Sequence, residues 1–337
     1  MMRGGEEMRK IEIDDAIRSR AGDYKTKVVA RCTDVVDDLR ELGAFVSANN
    51  LWNDKSAIID YINLLIGDYP AVLTLEPKDW GAYIKKYDKV QKREPNMLTK
   101  TVAYAKNGKG QFYKATLYER IICCLRYDEA RKILGGIHQQ MGLKTCVYCN
   151  VLPTLSSDGD VLYQMDHYLP KSIYPFLGTC FYNLQPSCGV CNGHKGTKDS
   201  DFGLYVNAEQ HKVLSPFLFI PQVSNGHGAY PTCSEIKFTG EAKHVTRESE
   251  AHEEMFHLKN MYACCTGEVD KLYEDAYKIN DSAVQAMSAC FGLTLTKADV
   301  VAYMSDHLSL DENDIHKEPL TKLRQDTIKQ MKEGGVV

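Results

Sequence analysis

CVYCN at residues 146–150 and YNLQPSCGVCNGHKG at residues 182–196 flank MDHYLPKS at residues 165–172. Each outer segment contains a Cys-x-x-Cys pair, and the inner segment contains an Asp-His dipeptide. Two such pairs supply four thiolates, the ligand set of a closed, tetrahedral zinc site. We therefore predict a structural Zn²⁺ that stabilises a segment too short and polar to build its own core. The predicted ligands are Cys146, Cys149, Cys188 and Cys191.

The dipeptide Asp166-His167 follows VLYQM at residues 161–165, whose alternating apolar residues predict a short strand that ends by Pro170. Neighbouring residues of a strand point to opposite faces. A carboxylate and an imidazole arranged in this way suit two different tasks, ligation of a divalent ion and activation of a water molecule.

The run NGHKG at residues 192–196 comes directly after the last cysteine and predicts the beginning of a helix. It carries Asn192 and His194, which are close enough in sequence to Cys191 for the zinc ion to fix their position. A closed four-cysteine site has no open position for a substrate. A catalytic ion must therefore lie elsewhere, near these polar residues.

Together these motifs resemble the HNH endonucleases over about residues 142–205. In that family a two-stranded hairpin and a helix, the ββα-metal fold, surround one catalytic divalent ion, often with a four-cysteine zinc knot at the base. The resemblance implies a chain that is mainly α with a small α+β insert. The insert would be an HNH nuclease core with its zinc knot, embedded between helical lobes.

The resemblance also implies a role for each matching residue. His167 would be the general base that deprotonates the attacking water, and Asp166 would be a ligand of the catalytic ion. Asn183 would be the middle residue of the motif, which holds the loop and orients the base. The last histidine of the family corresponds to Asn192, an HNN variant, so Asn192 is the aligned second metal ligand and His194 is the alternative.

The implied reaction is hydrolysis of a phosphodiester with one hard divalent ion, Mg²⁺ or Mn²⁺, that polarises the phosphate and stabilises the leaving oxygen. His167 must be neutral to accept a proton. An unperturbed imidazole is mostly neutral near neutral pH, so activity is expected to fall in acid. DNA is the expected substrate. The alternatives are an RNA (tRNA) endonuclease that uses the same site and a non-catalytic, zinc-dependent nucleic-acid-binding adaptor.

The formal net charge of −4 is unusual for a protein that binds a polyanion. Residues 78–114 nevertheless carry ten Lys or Arg against three acids. This mix can bind a nucleic-acid backbone and stack bases, although a solvated helix face over a buried aromatic stripe is the favoured interpretation. The interleaved aromatic residues are Trp80, Tyr83, Tyr87, Tyr104, Phe112 and Tyr113. The better candidates for phosphate contact are Lys171, Lys195 and Lys198, and Lys195 falls where the family often has a lysine.

Apolar periodicity divides the chain into a helical N-terminal domain over residues 1–140, the nuclease core over 141–205 and a mixed strand and helix region over 206–337. No apolar run approaches the roughly 18 residues that a membrane span needs, and no signal segment is present at the start. We therefore expect a cytoplasmic protein. The other eight of its twelve cysteines are expected to be reduced thiols.

A mildly acidic chain with a small catalytic core inside larger helical lobes suggests a nuclease that a partner delivers or gates. The order of the motifs resembles the HNH subunits of bacterial anti-phage systems such as the Septu type, which are paired with an ATPase. That resemblance implies a role in antiviral defence, with the helical lobes docking a regulatory partner such as an ATPase.

Overall fold

The computed structural model describes residues 9–106, 112–157, 160–200, 202–208, 214, 216–225, 230–240 and 246–337 of the chain. Helices dominate this described part, so the prediction of a mainly α chain is confirmed. No described helix combines the length and the apolar character that a membrane crossing requires.

The region before the cysteines is helical, as predicted, except for one hairpin. Its helices are α1 (Asp15–Arg31), α2 (Val35–Ala48), α3 (Lys55–Asp68), α4 (Pro77–Gln91), α5 (Leu117–Cys124) and α6 (Tyr127–Gln140). The short strand β1 (Ile11–Glu12) precedes them, and the antiparallel hairpin of β2 (Thr101–Lys106) and β3 (Phe112–Thr116) lies between α4 and α5. The Thr116 side chain then begins α5 in a capping box with Glu119.

Helix α4 carries two buried aromatic residues of the basic stretch at residues 78–114, and they support the interpretation of a solvated helix face over a buried aromatic stripe. Trp80 and Tyr87 are buried, and Tyr87 stacks on Phe176 with ring centroids 4.1 Å apart. The Trp80 indole N–H donates to the Leu75 carbonyl at 2.9 Å. These two rings therefore pack in the core rather than face a nucleic acid. The side chains of Tyr104, Phe112 and Tyr113 lie outside the described residues.

The central part contains short elements, most of which pair as two-stranded sheets. They are β4 (Ser156–Ser157), β5 (Asp160–Val161), β6 (Gln164–His167), β7 (Leu184–Ser187), α7 (Gly189–Lys195) and β8 (Tyr205–Val206). β8 pairs in parallel with β1, which attaches the start of the described chain to the end of the predicted core.

A two-stranded sheet under helices forms the C-terminal part. Strands β9 (Phe217–Ser224) and β10 (Thr232–Gly240) are antiparallel and lie in the region that the sequence predicts to mix strands and helices. The helices α8 (Thr246–Phe256), α9 (Leu258–Tyr262), α10 (Thr266–Lys278), α11 (Asp281–Phe291), α12 (Lys297–Met304) and α13 (Thr321–Glu333) follow. Buried residues from all three predicted regions form one continuous core, and the division into domains stays a prediction.

Hydrogen bonds of Asn150, the residue after the first cysteine pair, join that turn to the C-terminal segment. This residue has a φ of 52°, in the left-handed region, and its side-chain amide donates to the Ile315 carbonyl at 2.8 Å. In return, the backbone N–H of Leu320 donates to the Asn150 carbonyl at 2.6 Å, and that of Lys322 to its side-chain oxygen at 3.0 Å. The beginning of α13 is thereby held against the cysteine-bearing turn.

Candidate functional site

Four cysteines meet in the centre of the molecule, as the sequence predicts. One ligand atom from each lies within 4.8 Å of the others, and all four residues are buried. The first pair lies on the turn after α6, and the second pair lies at the N-terminus of α7. Backbone N–H groups point at two of the sulfurs, with Val151 donating to Cys149 at 3.5 Å and Cys191 to Cys188 at 3.4 Å. This donor set fits a tetrahedral Zn²⁺.

The proximity of the four thiols also changes their acidity. Hydrogen bonds from Cys146, Cys149 and Cys191 hold the pKa of the Cys188 thiol well below its ordinary value. Hydrogen bonds with Cys146, Cys149 and Cys188 raise the pKa of the Cys191 thiol. A cluster that already stabilises a thiolate is suited to bind a divalent cation, and binding releases the remaining protons.

A hairpin and a helix stand next to this cluster. β6 and β7 pair antiparallel, with Asp166 opposite Gln185 and His167 opposite Leu184. α7 follows β7 directly and begins at Gly189, where the Cys188 side chain acts as its N-cap. The segment NGHKG therefore ends the helix rather than beginning it, contrary to the prediction, because the cysteine cap starts the helix three residues earlier.

Asp166 lies at the bottom of a cleft and is 4% exposed. The Lys195 ammonium contacts its two carboxylate oxygens at 3.3 and 3.2 Å, and it also donates to the His167 carbonyl at 2.8 Å. Burial raises the pKa of the Asp166 carboxyl, and Lys195 opposes that shift. Since Lys195 is fully buried and bound to Asp166, it acts on the carboxylate and is not among the residues that line the cleft.

His167 is held by one hydrogen bond and one ring contact. Its Nε2 lies 2.9 Å from the Gly178 carbonyl, and because a carbonyl only accepts, this nitrogen carries the proton and Nδ1 is left as the acceptor. The Tyr127 ring packs against the imidazole with centroids 5.2 Å apart. Burial, assisted by Lys171 and Lys195, lowers the pKa of His167 to about 3. The imidazole is thus neutral well into the acid range, which replaces the expectation of an unperturbed group.

Asn183 holds the loop around this histidine. It is fully buried; its side-chain oxygen accepts from the Leu169 N–H at 2.8 Å, and its amide donates to the Leu169 and Leu177 carbonyls at 3.1 Å each. Leu169 lies two residues after His167, and Leu177 precedes Gly178, whose carbonyl the imidazole contacts. The asparagine therefore fixes both segments that determine the position of His167.

The cleft distinguishes Asn192 from His194. It has a volume of about 410 Å³, and its lining includes Asp166, His167 and Asn192 but not His194. The His194 ring instead packs edge-on against His257, with centroids 4.9 Å apart. Within the described part of the chain no residue hydrogen-bonds the Asn192 side chain. Of the two alternatives for the second metal ligand, Asn192 is the one that shares the cleft with Asp166.

Sequence reasoning missed Tyr148, which lies between the two cysteines of the first pair. Its hydroxyl donates to Asp166, and Gln185 donates to that hydroxyl. The Gln185 side-chain oxygen accepts in turn from the Leu204 N–H at 2.9 Å. A tyrosine hydroxyl that is buried beside a metal site needs a hydrogen-bond partner. This requirement is the sequence feature that could have indicated a role for Tyr148. Tyr148 connects the four-cysteine cluster to the cleft carboxylate.

Replacing Tyr148 by Phe is expected to leave Zn²⁺ content unchanged and to weaken binding of Mg²⁺ or Mn²⁺ at the ion site that the sequence predicts at Asp166 by about 10- to 100-fold. The reason is that Asp166 loses a hydrogen bond that orients its carboxylate. Titration of the zinc-loaded chain with Mn²⁺ measures the effect. Tyr262→Phe is the matched control, because its hydroxyl donates to the Cys149 carbonyl at 2.7 Å on the same turn. Equal Mn²⁺ affinities of the two variants would contradict the assigned role.

Comparison with known proteins yields one partial similarity. No family model matches the chain, and no solved structure does. A segment of 61 residues is 43% identical to Septu protein PtuB from Bacillus thuringiensis. The chain is similar to that protein over this segment only. The matched segment makes up 18% of this chain and 23% of the relative. The chain therefore spans only about a quarter of the relative's length.

Proposed function

We propose that this protein is a metal-dependent endonuclease that hydrolyses phosphodiester bonds in DNA. The observation that carries the proposal is the meeting of Asp166, His167 and Asn192 in one cleft beside a four-cysteine cluster. A hairpin followed directly by a helix, beside a four-cysteine cluster, resembles the arrangement of the ββα-metal core of HNH endonucleases and supports the same reaction class.

Asp166 and Asn192 would hold the catalytic ion. A carboxylate and an amide oxygen, with water completing the shell, suit Mg²⁺ or Mn²⁺. The Asp166 carboxylate offers about four lone-pair sites, of which Lys195 and Tyr148 use a part, so an ion can join them. When bound, the ion would polarise the scissile phosphate and stabilise the leaving oxygen.

His167 would act as the general base through Nδ1. The bond from Nε2 to Gly178 fixes the tautomer, and the Asn183 bonds fix the loop, so the lone pair is held in one direction without a cost at the moment of reaction. A phosphodiester bound in the cleft brings negative charge next to the imidazole. That charge raises the pKa of His167 toward the range in which a base accepts a proton efficiently.

Asn192→Ala is expected to lower the cleavage rate by about 10- to 100-fold and to raise the metal concentration required, since one ligand of the ion is lost. Asn192→Asp should retain the metal site. His194→Ala is the matched control on the same helix, and its rate should equal that of the unmodified chain. Titration of each variant with Mn²⁺ in a plasmid-cleavage assay measures both effects. A larger loss in His194→Ala than in Asn192→Ala would overturn this assignment of the ligand.

The proposal extends to the biological setting through the similarity to Septu protein PtuB. We propose a role as an effector of anti-phage defence that works with a protein partner such as an ATPase regulator. The cleavage assay applied to plasmid, single-stranded DNA and tRNA tests the substrate class, because a water nucleophile with one ion needs no 2′-hydroxyl. Cleavage of tRNA alone would replace DNA as the substrate.

A further inference from the structure

Lys171 lies in the same cleft and has no role in the mechanism above. It follows β6 in the loop that Asn183 holds, and its side chain is half-buried. Its ammonium lies over the Tyr127 ring, 5.0 Å from the centroid. Within the described part of the chain no carboxylate approaches it to the 4.0 Å of an ion pair.

A partly buried cation without an ion-pair partner is costly to maintain. Removing an ammonium from water is unfavourable unless another group compensates, and a ring face supplies only about 0.5 to 2 kcal/mol. Lys195 shows the contrast, since it is deeper in the protein and is fully paired with Asp166. The two lysines therefore differ in their partners: Lys195 neutralises a carboxylate of the protein, whereas no carboxylate of the described residues pairs with Lys171.

The surroundings favour an anionic ligand. Two residues that line the cleft, Lys171 and Arg131, are cationic, and Asp166 is the acidic residue of the lining. Arg131 is fixed on α6 because its Nη2 donates to the Val161 and Tyr163 carbonyls at 3.0 and 2.6 Å. If an ion is held at Asp166, the charge of the cleft becomes more positive still.

The position of the ammonium relates this ligand to the reaction. The Tyr127 ring contacts both groups: its centroid lies 5.0 Å from the Lys171 ammonium and 5.2 Å from the centroid of the His167 imidazole. A group that binds Lys171 is thus held near the proposed base, because both residues pack on the same ring. Consecutive phosphates of a strand are spaced on the scale of one nucleotide, which brings such a group close to the scissile bond.

We propose that Lys171, supported on the Tyr127 ring and accompanied by Arg131, binds a backbone phosphate of the substrate strand next to the cleavage site. This inference deepens the proposed function and rests on it, because the bound strand is a substrate only if the protein is the proposed nuclease. The binding site itself is defined by the two cations and the ring.

The test measures binding separately from cleavage. Binding of a fluorescent DNA oligonucleotide to the zinc-loaded full chain is followed by anisotropy without added Mg²⁺ or Mn²⁺, across about 50 to 200 mM salt. Lys171→Met, which keeps the length of the side chain, should weaken binding by about tenfold at the low-salt end and lower the salt slope by about one. Lys171→Arg should restore both. Lys237→Met, at an exposed lysine of β10 that does not line the cleft, is the matched control and should leave both unchanged.

Rates then separate this role from a structural one. With Mg²⁺ present, Lys171→Met should raise KM by the same factor as the dissociation constant and should change kcat little. Equal binding by Lys171→Met and the unmodified chain, or no binding by the unmodified chain, overturns the proposal. If the unmodified chain binds DNA with the predicted Lys171 dependence but does not cleave it, the phosphate site stands and the nuclease proposal fails.

Discussion

His167→Ala is expected to lower the cleavage rate by about 10²- to 10⁴-fold, the usual contribution of a general base. The imidazole has one nitrogen committed to the Gly178 carbonyl, so the other is the acceptor available for the water proton. Among the described residues that line the cleft, no other offers a neutral nitrogen base. Zinc content and the circular-dichroism spectrum should remain those of the unmodified chain, and single-turnover cleavage of plasmid measures the rate.

A control is needed because His167 is buried and its removal leaves a cavity. His138→Ala provides it, since His138 is also buried and contacts the Tyr163 hydroxyl at 3.1 Å, away from the cleft lining. Both variants should lose stability, but His138→Ala should keep the cleavage rate of the folded protein. If His167→Ala cleaves at the rate of the control, the general-base role is wrong. An adaptor that binds nucleic acid without cutting it would then fit the cluster better.

Loss of the zinc ion is the second large effect that we expect. Binding of a structural Zn²⁺ is worth about 10 to 16 kcal/mol in small zinc domains, as much as the total stability of many proteins. Cys191→Ser should therefore reduce the zinc content below about one ion per chain and unfold the segment that carries the cleft. Metal analysis and thermal unfolding, with and without a strong chelator, measure this result.

The matched control for that experiment is Cys180→Ser. Cys180 is fully buried like the cluster cysteines, but its thiol contacts the Leu75 carbonyl at 3.4 Å and lies outside the cluster. It should keep the full zinc content and lose only the stability that a buried thiol contributes. Zinc content and melting temperature in Cys191→Ser that match the control would show that the cluster is not a structural metal site.

The features that the sequence predicted well are those with a local signature. The Cys-x-x-Cys spacing states which four residues share a metal before any fold is known. The helical character of the region before the cysteines has a clear apolar period and appears in α1 to α6. Asp166 and His167 are adjacent in the chain, so their arrangement on a strand follows from the strand alone.

Features that depend on distant residues had no such signature. The parallel pairing of β1 with β8 joins Ile11 to Tyr205. The N-terminal helices and the predicted nuclease core lie between these two residues in the sequence. The partner of Lys195 could not be read from its place after the last cysteine, because its ammonium reaches Asp166 on another element. The hairpin of β2 and β3 is different, because its Thr, Val, Tyr and Phe residues favour strands. This local preference was present in the sequence, but the helical periodicity on both sides outweighed it.

The central claim is that the cleft cuts a phosphodiester with a bound divalent ion. The most direct measurement is nicking of supercoiled plasmid by the purified, zinc-loaded chain in Mg²⁺, without an added divalent ion, and after addition of Mn²⁺, alone and with any protein that co-purifies. We predict nicking in Mg²⁺ and in Mn²⁺, none without an added ion, and a rate at least about 10²-fold lower for His167→Ala. Nicking at the full rate without an added ion or in His167→Ala, or no nicking under any condition with the partner present, would contradict the account.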